Sequence, residues 1–246
     1  MSRRSAALSL LVWVLAFAGG LTPAFADPGY EYSTVKSPPI SEANHATILG
    51  DIYGGTFTGS GTDLGYGLWN VFSNGSITAY RIYDLDMEDE ITHIVTGDQS
   101  NVDRIWTDGD ARVTATAKYA GLEQSFGWNG GGSDSTEYYE LLNESVLSKT
   151  FEIEGDFLWG INPNSYLWWS RDSLNDDTVD HMITYKIEGL QTDETVWALF
   201  WEDMPSSHPW DQDYQDFVIE VRAIPEPSSI LLLGLGALAL LRKRRA

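Results

Sequence analysis

Between two apolar ends, the chain is a succession of short alternating or aromatic runs broken by Gly, Asn and Asp. Residues 76–85 follow an Asn74-Gly75 turn signal and have strand composition. Residues 111–119 alternate, which assigns Val113, Ala115 and Ala117 to one face and Arg112, Thr114, Thr116 and Lys118 to the other. Residues 146–154, 166–170, 181–188, 195–202 and 217–222 continue the pattern. Gly54-Gly55, Asp108-Gly109, Gly130-Gly131-Gly132 and Glu188-Gly189 punctuate it as turns. Residues 27–50, with Ser37-Pro38-Pro39, read as irregular at first, and no long stretch between the ends carries a helical period. Many short strands joined by tight turns predict an all-β fold, an antiparallel β-sandwich of jelly-roll type. With neither a long linker nor an internal repeat, residues 27–224 form one domain.

The apolar fraction of 43% and aromatic fraction of 13% belong to a folded chain. There is no cysteine, so disulfides, thiolate metal sites and cysteine nucleophiles are excluded.

The two apolar ends differ in meaning. Arg3 and Arg4, an apolar run from residue 6 to about residue 20, and Ala24-Phe25-Ala26 before Asp27 have the form of a secretory signal peptide over residues 1–26. Ala24 and Ala26 set the cleavage site, and signal peptidase is the partner implied. At the other end, the apolar run 230–241 rises only about 18 Å as a helix, against a hydrocarbon core of roughly 30 Å. It predicts a short C-terminal hydrophobic helix that bridges a membrane only with help from its flanks. Arg242, Lys243, Arg244 and Arg245 stay on the cytoplasmic side, which places the domain outside. Pro225-Glu226-Pro227 presents an extended peptide just ahead of the apolar run.

Those three elements, in that order, resemble the PEP-CTERM protein-sorting signal of Gram-negative bacteria, over residues 225–246. The resemblance implies recognition by a membrane-embedded exosortase, with transient anchoring in the inner membrane. Removal of the tail and delivery to the cell envelope, outer surface or extracellular matrix would follow. It also implies an association with exopolysaccharide, which bacteria with this system often make.

The formal net charge is −21. The two ends carry six of the 15 basic residues and one of the 36 acidic ones, which leaves residues 27–224 at −26. Such a surface repels nucleic acid and anionic headgroups and attracts cations. It also serves simply to keep an exported protein soluble.

The acids crowd most closely near the C-terminal end of the domain. Asp211, Asp213 and Asp216 stand at i, i+2 and i+5, and Glu202 and Asp203 close the preceding strand. Hard oxygen ligands gathered at one loop suit Ca2+, although the spacing is not that of an EF-hand. The alternative is an Asp-rich hairpin whose carboxylates cap backbone N–H groups. Residues 111–121, Ser125-Phe126-Gly127-Trp128, Trp201-Glu202-Asp203 and the Asp211-x-Asp213-Tyr214-x-Asp216-Phe217 element together resemble an uncharacterised β-sandwich domain of exported bacterial proteins. That domain often precedes a PEP-CTERM tail. The likeness spans roughly residues 100–223, implies no catalytic role, and favours the Ca2+ reading because the three aspartates match its most recognisable element.

Other clusters offer less. Residues 84–90 read as a solvated acidic loop, and Asp176, Asp177 and Asp180 beside His181 form a weaker metal candidate. Asp108-Gly109-Asp110 reads as a hairpin turn, and His45, His93 and His208 lack paired zinc spacing. No GxSxG, phosphate-loop or dinucleotide motif is present, so the expectation is a non-enzymatic protein. Two alternatives stand beside it. One is a carbohydrate-binding module stacking sugars on exposed Trp168, Trp169 or Trp210, against the competing reading that the adjacent pair is shielded. The other is a glycan-active hydrolase using two of the many carboxylates.

Overall fold

The computed structural model describes residues 32–39, 42–63, 69–82, 91–94, 103–132, 134–164, 166–208 and 211–224. Helix α1 (His45–Tyr53) corrects part of the irregular N-terminal reading. Ile48, Leu49, Ile52 and Tyr53 fall on one face, and Asn44 caps the start by accepting the Thr47 N–H at 2.9 Å. Gly54, at φ 82°, ends the helix. An apolar stripe only nine residues long is too brief to stand out as a period among strands.

The strands are β1 (Thr58–Asp63), β2 (Trp69–Ser73), β3 (Thr78–Arg81), β4 (Ile91–His93), β5 (Ile105–Lys118), β6 (Ser125–Asn129) and β7 (Tyr138–Leu142). After them come β8 (Ser148–Phe157), β9 (Trp159–Asn162), β10 (Trp168–Trp169), β11 (Met182–Glu188), β12 (Thr195–Trp201) and β13 (Phe217–Ala223). They form the antiparallel sandwich that the alternation predicts, from sheets of nine and four strands. The larger runs β1-β2-β3-β11-β12-β13-β5, and the smaller runs β10-β9-β6-β7. Trp106 and Thr107 of β5 pair with both β4 and β8, so these two strands flank β5 on opposite sides. The β4–β5 pair is the parallel exception among the described pairs.

One face of the large sheet packs on the small sheet around Trp106, Phe126, Trp159, Trp197, Trp201 and Ile219. The other face is covered by α1 and the chain before it, through Val35, Ile48, Leu49, Tyr185, Phe200 and Val218. Strand β12 lies between these two cores. Trp197, Leu199 and Trp201 enter the first, and Val196, Ala198 and Phe200 enter the second. Burial on both sides explains its unbroken apolar sequence. Among the described residues, both cores are built within residues 35–223.

Two details of β5 differ from the sequence reading. Val218 pairs with Ala117 but Ile219 pairs with Ala115, so Thr116 is an extra residue in the ladder. Its hydroxyl donates to the Val218 carbonyl at 3.0 Å. This bulge moves Ala117 onto the helix-covered core, away from the core that Val113 and Ala115 share. Asp108-Gly109 is likewise inside β5 and not in a hairpin turn. There one step of β5, Thr107 to Gly109, spans Asp156 to Ile153 of β8, and Gly109 (φ 131°) and Gly155 (φ 77°) absorb the irregularity. The signal that marks a turn here serves a bulge.

Candidate acidic metal centre

Strands β12 and β13 are antiparallel neighbours with Trp201 opposite Phe217. Glu202 and Asp203, which follow β12, therefore emerge beside Asp216, which precedes β13. Side-chain oxygens of Glu202, Asp203 and Asp216 lie within 4.8 Å of one another. A second trio, Glu42, Asp211 and Asp213, meets the same limit. The structure thus divides the five acids singled out in the sequence between two neighbouring groups and adds Glu42.

Glu42 carries no sequence signal for this role. It arrives through the segment before α1, whose docking is local and specific. The Lys36 N–H donates to the Gln212 carbonyl at 2.8 Å, and His45 Nε2 donates to the Asp213 carbonyl at 2.7 Å. His45 is buried and neutral, its pKa lowered to about 3 chiefly by desolvation, so its Nδ1 accepts the Tyr185 hydroxyl at 2.9 Å. The returning loop carries two non-glycine residues with left-handed backbone, Gln212 (φ 57°) and Tyr214 (φ 52°).

Glu202 is fully buried, and among the described residues no amide, hydroxyl or cationic donor meets its carboxylate oxygens, although its side chain meets the Asp216 carboxyl. Its backbone is held on both sides: the N–H donates to the His181 carbonyl, and its own carbonyl meets His181 Nδ1 at 3.0 Å. One Asp203 carboxylate oxygen accepts the Gln124 amide at 2.7 Å, and the Asp203 N–H donates to Asp216 Oδ2 at 2.9 Å. In the second trio, the Gln215 side-chain amide donates to both Glu42 and Asp213. Asp211 is exposed.

Burial and mutual repulsion shift these groups upward. Glu202 is pushed up to about 10 by desolvation and then by the charges of Asp216, Asp211 and Asp213. Desolvation leads again for Asp213, raised to about 7 with help from Asp211 and Asp216. It also leads for Asp216, raised to about 7 with Asp203 next. Asp203 is raised as well, mainly by burial. A buried cluster of this kind takes up either protons or a cation.

His181, the weaker metal candidate, has both ring nitrogens engaged, Nδ1 by Glu202 and Nε2 by the Asp177 carboxylate at 3.2 Å. Its ring stacks on Trp168 at 4.0 Å between centroids. It is a packing residue at the edge of the cluster.

The stacking role expected of Trp168 and Trp169 is corrected by their burial, at 2% and 1% exposure. Their side chains do diverge. Trp168 lies between Tyr166 and His181 with its Nε1–H on the Asp203 carbonyl, and Trp169 packs with Ile105 and Leu158. Both faces of this short strand are covered, so neither indole is open to a sugar ring. Trp210 lies outside the described residues, as do the cleavage-site alanines, Pro225-Glu226-Pro227, the basic tail and the expected C-terminal helix. Among the described residues no helix is long and apolar enough to cross a membrane.

A family model for the PEP-CTERM protein-sorting motif matches residues 223–245. The chain therefore carries the signal of an exported protein processed by an exosortase and sorted to the cell envelope of Gram-negative bacteria. No curated protein matches the chain in sequence. Among solved structures, the C-terminal domain of BC2L-C Lectin from Burkholderia cenocepacia is similar at 11% identity and a TM-score of 0.32, over 48% of this chain and 90% of its own. A likeness that faint bears on no ligand of this chain.

Proposed function

We propose that the mature chain is a non-enzymatic module of the outer surface or exopolysaccharide matrix, stabilised by Ca2+ bound at its acidic pole. The observation that supports the reading is Glu202, a buried carboxylate with no amide, hydroxyl or cationic donor among the described residues, set beside buried Asp203 and half-buried Asp216. An uncompensated buried charge costs several kcal/mol, and a divalent cation offsets that cost. Oxygens sharing one Ca2+ at about 2.4 Å stand no farther apart than about 4.8 Å, a limit the trio meets.

Strand β13 carries the chain from Asp216 to Ala223, roughly 20 Å, and Ile224 is tied to the Asp110 carbonyl at 2.7 Å. The sorting motif starts there, at the pole opposite the acidic one. A chain held by its tail would point its cation pole away from the membrane.

Thermal unfolding of residues 27–224 tests the reading. Millimolar Ca2+ is expected to raise the midpoint over a chelator control, because a ligand at about 100 times its Kd adds about 2.7 kcal/mol. An unchanged midpoint would remove the Ca2+ reading.

A further inference from the structure

We infer that the pole holds one cation, ligated by Glu202, Asp203 and Asp216, and that the Gln215 amide closes the Glu42–Asp211–Asp213 group in place of a second ion. The inference rests on the Ca2+ reading above and selects its ligands. The two trios meet the same distance limit, but their hydrogen bonding separates them.

In the inner trio, each aspartate has one oxygen tied to the protein, Asp203 to Gln124 and Asp216 to the Asp203 N–H. The tie fixes each carboxylate, and the side chain of Asp216 also meets those of Asp203 and Glu202, where either a shared proton or an ion bridges them. Glu202 supplies two oxygens that no amide, hydroxyl or cationic donor among the described residues reaches. All three residues sit at the ends of paired strands, where the backbone holds their positions better than a loop would. Glu202 through both oxygens and one oxygen from each aspartate supply four, and water brings the number to the six to eight that Ca2+ takes.

In the outer trio, protein donors already stand between the carboxylates. The Gln215 amide bridges Glu42 to Asp213, and the Gln215 N–H reaches Asp213 again at 3.3 Å. Asp211 is exposed, so water solvates its charge. A second ion would have to displace these bonds.

Terbium, which occupies Ca2+ sites and emits when an excited tryptophan lies close, gives a direct readout. The Trp168 indole bonds the Asp203 carbonyl, and Trp201 adjoins Glu202 in the chain. Titrating residues 27–224 with Tb3+ is expected to give tryptophan-sensitised emission that Ca2+ reverses, and equilibrium dialysis with Ca2+ alone should give one tight ion per chain. Glu202→Gln and Asp216→Asn should each weaken Ca2+ at least tenfold, while Glu42→Gln and Asp211→Asn should change it less than threefold. Two tight ions per chain, or loss on Glu42→Gln and Asp211→Asn with Glu202→Gln unaffected, would overturn the assignment and leave the Ca2+ reading standing. No Ca2+ binding by the unmodified protein would overturn both. The stoichiometry and the Asp216→Asn measurement decide the matter even if Glu202→Gln fails to fold.

Discussion

Replacing Trp159 by alanine is expected to lower the unfolding free energy of residues 27–224 by about 4 kcal/mol, within the usual range for losing a buried large aromatic. The indole is fully buried where the small sheet meets the large one. Its ring stands 4.8 Å from Phe157, 5.1 Å from Phe126, 5.5 Å from Phe151 and 6.1 Å from Trp106. Trp106 in turn meets Trp197 edge-on at 5.2 Å, so the gap would be walled by stiff rings that cannot collapse into it. Domains are stable by only about 5–15 kcal/mol, and this one change would remove a large share. Urea unfolding should show a lower midpoint at unchanged slope. Trp159→Phe should cost much less, because the indole N–H it discards has no acceptor among the described residues. Tyr139→Ala, at a ring 44% exposed, is the surface control and should cost under about 1 kcal/mol. A loss below about 1 kcal/mol for Trp159→Ala would contradict the two-sheet core.

The strands that surround this core were the legible part of the sequence. Strands β11, β12 and β13 fall where the aromatic runs place them, because each buries a continuous face and the pattern is local. What eluded the pattern depends on partners elsewhere in the chain. Ala117 changes face because β13 opposes two residues of β5 with one, a fact about pairing that β5 does not record. Gly109 bends a ladder with β8 in place of a turn, and both uses ask the same backbone freedom of glycine.

The acidic site divides in the same way. Asp211, Asp213 and Asp216 are neighbours in the chain, and Glu202 and Asp203 join them because a hairpin-like pair of strands returns to its start. Glu42 could not be read, since it meets Gln215 across 173 residues. The divergence of Trp168 and Trp169 follows from strand geometry, whereas their cover comes from Tyr166, His181 and Leu158 on other elements. Nor does spacing distinguish a carboxylate already bonded to an amide from one that no amide, hydroxyl or cationic donor among the described residues reaches. That difference separates the two trios.

In chelator, the domain is expected to lose stability as pH rises from about 5 to about 8, opposite to the usual behaviour of ion-paired carboxylates. Glu202, Asp213 and Asp216, at about 10, 7 and 7, lie above the ordinary unfolded value near 4. The folded state keeps protons that the unfolded chain has released. Their contribution is complete below about pH 4 and is lost as pH climbs through about 7, and further for Glu202. His45 works the other way. Lowered from 6.5 to about 3, it favours the folded state above pH 6.5 and loses that contribution as pH falls toward 3. His181 is lowered too, by burial against the pull of Asp177, and adds to the same side. Each group changes stability by up to about 1.4 kcal/mol per pH unit inside its window. Near neutrality the histidine contributions level off while the carboxylates are still ionising, so the decline should be steepest between about pH 6 and about pH 8. Ca2+ replaces the departing protons, and its stabilisation should therefore be small near pH 5 and large near pH 8. Glu202→Gln supplies the neutral form permanently. It should raise the midpoint of the chelated protein near pH 8 and shrink the Ca2+ response. Urea midpoints measured across this range, with and without Ca2+, would contradict the account if the chelated protein were most stable at the alkaline end.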